Sequence, residues 1–270
     1  MRSTIILTLV SLLIFSSHSD AQKRSILIYT KNGKGYVHDN IPSAVEALKQ
    51  IAQKEKLKAV VSDDPSVFTE ENLKNFTMLV FPSTNNDVFD TDAQRLAFRR
   101  YIEGGGGLVG IHSITGTERN WTWFKMLIGC TFSWHANFQK FTVRVTDPLH
   151  PSMNGVPLKW EREDELYFGK ELYPVTNVMM SHQISTLDPK QKEQIQKNAG
   201  TYIEYYPASW YNRFQGGHAW ITTLGHSKDS YQDPVFVNHL QQGIRFIAET
   251  TKGADFSKSY AQHKDDPILK

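Results

Sequence analysis

Between residues 25 and 111, four short apolar runs alternate with three helical patterns, and few folds accommodate that alternation. The runs are Ser25 to Thr30, Lys58 to Ser62, Met78 to Pro82 and Leu108 to Ile111. Short apolar runs of this kind suit strands buried on both faces. After the first, Ala44, Val45, Leu48, Ile51 and Ala52 recur at helical spacing behind Pro42-Ser43. Proline suits a first helical turn. A short helix is expected from Thr69-Glu70-Glu71-Asn72, with Thr69 as its cap. A third helix, capped by Asp90 or Thr91 and running through Glu103, carries Ala93, Leu96, Ala97, Tyr101 and Ile102 on one face. The order β-α-β-α-β-α-β predicts an α/β fold: a mainly parallel sheet, helices on both faces and right-handed connections.

The fourth run ends in a distinctive way. In Gly104-Gly105-Gly106-Gly107-Leu108-Val109-Gly110-Ile111-His112-Ser113 a helix stops in glycines, a strand crosses the core, and the chain emerges on a histidine. Ligands sit at the carboxyl ends of strands in open α/β sheets. In several hydrolase-like folds a sharp turn at that place holds a Ser or Cys nucleophile. Here His112 stands there, so the architecture reads as enzymatic with the usual nucleophile absent.

The second half is less regular. Trp121 to Ile128 reads as a helix, and Phe141 to Val145, Asn177 to Ser181, Tyr202 to Tyr206 and His218 to Leu224 read as strands. Pro234 to Glu249 reads as a closing helix. The charged residues 251–270 predict a loose tail. No repeat or linker divides the chain, so residues 22–250 are expected to form one domain.

Arg2, the apolar stretch Ile5 to Phe15 and the small residues Ser16 to Ala21 predict a signal peptide over residues 1–21, cleaved after Ser17-x-Ser19 or Ser19-x-Ala21. The apolar stretch is about half of what a membrane span needs. The expectation is a periplasmic or secreted protein without a stable membrane anchor. Thirty basic and 28 acidic residues give a formal charge of +2, which argues against a nucleic-acid partner. Cys130 is the single cysteine, so no intrachain disulfide can form, and its neighbours Leu127, Ile128 and Phe132 predict a buried thiol.

Four histidines fall at predicted strand ends or in adjacent loops: His38, His112, His135 and His226. Each alone reads as a packing or surface residue. As a set they read as a cluster at the ligand edge of the sheet, where imidazoles serve as acids, bases or metal ligands. His112, His135 and His226 are the candidate catalytic histidines. The acidic run Glu161, Glu163, Asp164 and Glu165 reads equally as a solvated face or as a source of one inward carboxylate, with Glu165 the member expected to turn in. His38, Asp39, Trp134, Tyr167 and Trp210 are candidate substrate contacts, because aromatic rings suit the C–H faces of sugars. A divalent metal is compatible with the histidine set, although no His-Glu-x-x-His is present and nothing local marks His150 or His182 as ligands. Gly33-x-Gly35 is too short to indicate a nucleotide cofactor.

Taken together, Tyr36-Val37-His38-Asp39-Asn40-Ile41-Pro42, Phe68-Thr69-Glu70-Glu71-Asn72-Leu73, the glycine-rich run to His112, His150-Pro151, Asp164-Glu165-Leu166-Tyr167 and Trp220-Ile221-Thr222-Thr223-Leu224-Gly225-His226 resemble the ThuA-like (trehalose utilisation) family. The resemblance implies a flavodoxin-like three-layer sandwich related to class I glutamine amidotransferases. Those enzymes carry a Cys where His112 stands, so their chemistry does not transfer. Ala136 and His218 replace the Pro and Arg common in relatives. The resemblance further implies a small-molecule carbohydrate ligand and sugar catabolism through keto-sugars. Three functions follow for testing: an enzyme using His112, His135, His226 and a carboxylate, Glu165 or Asp39; a non-catalytic carbohydrate-binding or partner module; and a two-carboxylate glycosidase drawing on Asp39, Asp87 and Glu165.

Overall fold

The computed structural model describes residues 25–173, 176–202 and 204–268, so the expected signal peptide lies outside the described residues. In chain order the elements are β1 (Ser25–Tyr29), α1 (Ile41–Lys54), β2 (Lys58–Ser62), α2 (Glu70–Leu73), β3 (Phe76–Pro82), α3 (Asp92–Glu103), β4 (Gly107–Ile111) and α4 (Thr122–Ile128). Then come β5 (Thr131–His135), β6 (Gln139–Val145), β7 (Lys159–Asp164), β8 (Tyr167–Lys170), β9 (Asn177–Gln183), α5 (Lys192–Ala199), β10 (Tyr205–Phe214), β11 (Gly217–Thr222) and α6 (Pro234–Thr250).

Nine strands form one sheet in the order β2-β1-β3-β4-β11-β10-β9-β6-β7. The pairings from β2 to β11 are parallel, and those from β11 to β7 are antiparallel. The sheet is therefore mixed: the parallel half is the part the alternating sequence predicts, and an antiparallel half extends it. Strands β5 and β8 pair separately. In the parallel half, alternate residues feed two cores. Ile26, Ile28, Met78, Val80, Val109 and Ile111 pack with α1 and α6. Leu27, Tyr29, Leu79, Phe81 and Leu108 pack with α3 and α4. Thr91 caps α3 through a reciprocal capping box with Gln94.

The second half departs from the sequence reading: β10 runs over Tyr205–Phe214 where Tyr202 to Tyr206 was expected, and β8 and α5 carry no clear pattern in the sequence. Ser133-Trp134-His135, expected in a loop, belongs to strand β5. The acidic run lies largely in β7, where burial alternates: Trp160, Arg162 and Asp164 point inward, while Lys159, Glu161 and Glu163 are exposed. Charge hides this period-two pattern because two of the three inward residues are themselves ionic. Residues 260–266 are tied to α3. Buried Arg99 pairs with Glu103 at 2.8 Å and donates to the carbonyls of Lys264 and Asp266 at 3.0 and 2.7 Å. Glu103 accepts from the backbone N–H groups of Tyr260 and Ala261, both at 3.0 Å. A tail of charged composition is thus held through its backbone, which composition does not reveal.

Two histidines are sealed in the core. His182 of β9 and His239 of α6 meet the hydroxyls of Thr223 and Thr222 at 3.3 and 3.2 Å. Burial pushes both imidazoles down to about 3. The unfolded chain then binds more protons than the folded one between pH 6.5 and 4, so stability is lost as pH falls. Each imidazole contributes about 1.4 kcal/mol per pH unit across that window. Urea denaturation at stepped pH should show His239→Gln flattening the slope by about that amount. An unchanged slope would refute the assignment.

Candidate functional site

The turn after β4 builds the centre of the site. His112 leaves the strand with φ 54°, in the left-handed region that a non-glycine residue adopts at a cost. A short 3-10 turn, His112–Gly116, follows. Gly110 beneath it is packed so closely that a Cβ would lie 2.8 Å from Ile114 and Ile221. His112 is fully buried, and its Nδ1 lies 3.0 Å from the Thr223 carbonyl. A carbonyl only accepts, so Nδ1 carries the proton and the Nε2 lone pair faces the site. Burial, with His38 adding to it, holds this imidazole well below its ordinary pKa.

His38 enters from the loop between β1 and α1. Ser113 Oγ donates to the Thr84 carbonyl at 3.0 Å and lies 3.2 Å from His38 Nδ1. Its proton is thereby committed, so Ser113 accepts from Nδ1–H, and His38 Nε2 accepts from the Tyr167 hydroxyl at 3.3 Å. Burial, reinforced by nearby His226, lowers His38 to about 4. His226 sits in the loop after β11, with Nδ1 3.1 Å from Glu165 Oε2 and 3.2 Å from His112 Nε2. The hydrogen bond to Glu165 raises its pKa above the usual value. His135 approaches the other oxygen, Glu165 Oε1, at 3.4 Å.

A second set of residues holds these groups in place. Asp164 is fully buried and accepts four hydrogen bonds: Gly225 N at 2.7 Å, His226 N at 3.0 Å, Glu165 N at 2.9 Å and Arg162 Nη2 at 2.5 Å. From the opposite side, the Asn40 side chain donates to the carbonyls of Gly225 and His226 at 2.7 and 2.9 Å. The loop carrying His226 is gripped through its backbone, its N–H groups by Asp164 and its carbonyls by Asn40. A bulge in β5 between Phe132 and Trp134 turns both Phe132 and His135 toward the same hollow.

The result is a pocket of about 390 Å³, lined by Tyr36, His38, Asn85, Ser113, Gly116, Arg119, Phe132, His135, Glu165, Tyr167 and His226. That volume suits a small molecule. Six of the residues singled out from sequence converge here: His38, His112, His135, His226, Glu165 and Tyr167. Three do not. Asp39 is exposed and paired with Lys228 at 2.7 Å. Trp134 stacks on Phe168, away from the pocket. Trp210 is buried and donates to the Ile128 carbonyl at 2.7 Å. Both indoles meet core surface from their strands, so neither faces a ligand. Sequence reasoning missed Asn85, Arg119, Phe132 and the anchoring Asp164. The tight turn after His112 was the available signal for Ser113, and nothing local marks Arg119. Cys130 is buried, and burial pushes its thiol up to about 12, consistent with the apolar setting.

A trehalose-utilisation family model, ThuA, matches residues 25–247. The chain belongs to the ThuA family. No curated protein matches it. Among solved structures, a ThuA-like protein from Bacteroides uniformis is 21% identical with a TM-score of 0.69, covering 89% of this chain and 98% of that one. One from Parabacteroides merdae is 20% identical with a TM-score of 0.63, covering 83% and 89%. A cytoplasmic protein from Salmonella typhimurium is 11% identical with a TM-score of 0.56, covering 83% and 98%. At these identities the likeness concerns the fold.

In this ThuA-family chain, His38, His112 and His226 bring ring nitrogens within 4.8 Å of one another. The 3.2 Å between His112 Nε2 and His226 Nδ1 matches the edge of about 3.3 Å expected for a tetrahedral site with metal–nitrogen bonds near 2.0 Å. The neutral state enforced on His38 and His112 is the ligating form of imidazole. On that edge and on the chemistry of its donors the set suits a divalent cation, with His226 joining in its deprotonated form.

Two outcomes follow. In an NMR titration of the metal-free protein, His226 titrates above 6.5 in the wild type and below it in Glu165→Gln, where burial is left to dominate. No change between the two would refute the pairing. Asp164→Ala leaves the Arg162 charge buried without its partner and should lower stability by about 3–5 kcal/mol in denaturant titration. A loss under 1 kcal/mol would show that the loop has other sufficient anchors.

Proposed function

We propose that this ThuA-family protein is an exported enzyme of sugar breakdown, acting on a sugar or keto-sugar in the histidine pocket. One observation carries the reading: three imidazoles and one carboxylate, drawn from four separate segments, meet in a pocket of small-molecule size. The family's description as trehalose utilisation supports the substrate area. The export rests on the leader-like residues 1–21. The parallel half of the sheet, with its turn at His112, supports kinship with the flavodoxin-like, class I glutamine amidotransferase-like architecture.

A ketone acidifies the C–H bonds beside it. Glu165 is placed to take such a proton from the hydroxyl-bearing carbon next to the carbonyl; the C–H electron pair becomes a C=C bond and the carbonyl π pair moves onto oxygen, giving an enediolate. His226, as imidazolium, donates to the oxygen that gains charge, and Tyr167 and Ser113 hold His38 in one tautomer beside them. A divalent ion held by His38, His112 and deprotonated His226 would polarise the carbonyl in place of the His226 proton, with Glu165 ionised as the base. Among the described residues lining the pocket, Glu165 is the only carboxylate. Asp39 and Asp87 are exposed, so the two-carboxylate glycosidase arrangement finds no support.

Assays on a panel of keto-disaccharides, with elemental analysis of the purified protein, test the reading. Glu165→Gln should lower kcat/KM by about 10²- to 10⁴-fold. His112→Asn combined with His226→Asn should abolish both turnover and stoichiometric metal. Undiminished turnover in these variants would overturn the assignment. Sugar binding without any product would favour a non-catalytic carbohydrate-binding module.

A further inference from the structure

Arg119 projects into the same pocket and has no part in the chemistry above. Its guanidinium is fixed by neutral acceptors: Nε donates to the Gly116 carbonyl at 2.9 Å and Nη2 to Asn85 Oδ1 at 3.0 Å. It also lies over the Phe132 ring, 5.5 Å from the centroid. Asn85 is itself held, donating to the Tyr36 carbonyl at 3.3 Å and accepting from the Asn86 N–H at 3.1 Å. Glycine at 116 is what lets the guanidinium lie against the turn, since a Cβ there would meet Asn85 Oδ1 at 2.5 Å and Arg119 Nη2 at 2.9 Å.

The neighbouring carboxylate does not neutralise this charge. Glu118 is turned away and buried, pairing with Arg95 at 2.7 Å and accepting from the N–H groups of Val88 and Phe89 at 2.9 and 3.1 Å. Glu165, the carboxylate of the pocket, faces His135 and His226. Among the described residues Arg119 has no carboxylate partner, and its Nη1 makes no hydrogen bond. The pocket thus holds a pre-oriented cation with open donors, while its carboxylate is engaged by His135 and His226. A planar fork held in one orientation suits a carboxylate or phosphate group.

We infer that Arg119 selects a sugar bearing an oxyanion group, a sugar acid or a sugar phosphate, and that Gly116 and Asn85 set the guanidinium for that contact. This rests on the reading of the pocket as a sugar site. The selectivity sits where Arg119, Asn85 and Phe132 line the pocket, and Phe132 reaches from there to Tyr167, 4.7 Å between ring centroids.

Calorimetry on the full mature protein tests this with four probes: glucose, glucuronate, gluconate and glucose 6-phosphate. The wild type should bind at least one anionic probe about 10- to 100-fold more tightly than glucose, the range for a charge-assisted contact. Comparison of the acid and phosphate arms identifies which oxyanion is preferred. In Arg119→Gln the ratio of anionic to neutral affinity should fall to within about twofold of unity. Arg119→Lys should retain only part of it, because the fork is lost while the charge remains. Gly116→Ala should reduce the ratio with Arg119 still present. Equal affinity for glucose and the anions in the wild type would overturn this inference and leave the sugar site standing. Preference persisting in Arg119→Gln would overturn it too. Binding of none of the four would overturn the sugar site along with it.

Discussion

The buried carboxylate of Asp164 is the point on which the site depends. It ends an antiparallel strand far from the parallel half of the sheet, yet two of its hydrogen bonds go to the backbone at Gly225 and His226. A third goes to the N–H of Glu165. One side chain therefore fixes the relative positions of the site's carboxylate and of His226. Arg162 supplies the countercharge, itself covered by the rings of Trp160 and Phe236 at 4.5 and 4.9 Å. A buried carboxylate is costly unless it is paired and hydrogen-bonded, and Asp164 is both, with four donors. The grip of Asn40 on the same loop ties the start of α1 into the arrangement.

The electrostatic character of the pocket follows from unequal burial among its histidines. His112 and His38 are shielded and stay neutral, while His226 shares a hydrogen bond with Glu165 and is more readily protonated. Chemically identical side chains thereby become lone-pair donors in two cases and a proton carrier in the third. Separation of this kind leaves two imidazole lone pairs and one exchangeable proton facing a single hollow. The committed tautomers reinforce it. The Thr223 carbonyl decides which nitrogen of His112 faces the hollow, and Ser113, whose own proton goes to Thr84, decides the same for His38.

Much of the parallel half was legible in the sequence because its signals are local. Apolar runs, the Thr91 cap and glycines after α3 each act within a few residues. The antiparallel half was less legible. Strand β7 reads as Lys-Trp-Glu-Arg-Glu-Asp, and its inward Arg162 and Asp164 look like solvent-facing residues until they are seen to satisfy each other. Tryptophans gave the opposite error. Trp210 and Trp134 have the composition of sugar platforms, but each packs into core surface left open by neighbouring elements. The charged tail was misread for a related reason: its contacts with Arg99 and Glu103 run through backbone atoms, which carry no residue-specific signal.

The sequence by itself determined the alternation of strand and helix, the turn at His112 and the family, because these rest on hydrophobic period, glycine placement and short ordered motifs. The tertiary structure alone decided which distant side chains share the pocket. His38, His112, Glu165 and His226 are brought together by strand order and by the Asp164 anchor. Arg119 was beyond reach for the same reason: its role depends on Asn85 and Phe132 as spatial neighbours and on Glu118 being turned toward Arg95. Charge pairing across a fold is a property of three-dimensional proximity, and the order of residues along the chain does not encode it in any local pattern.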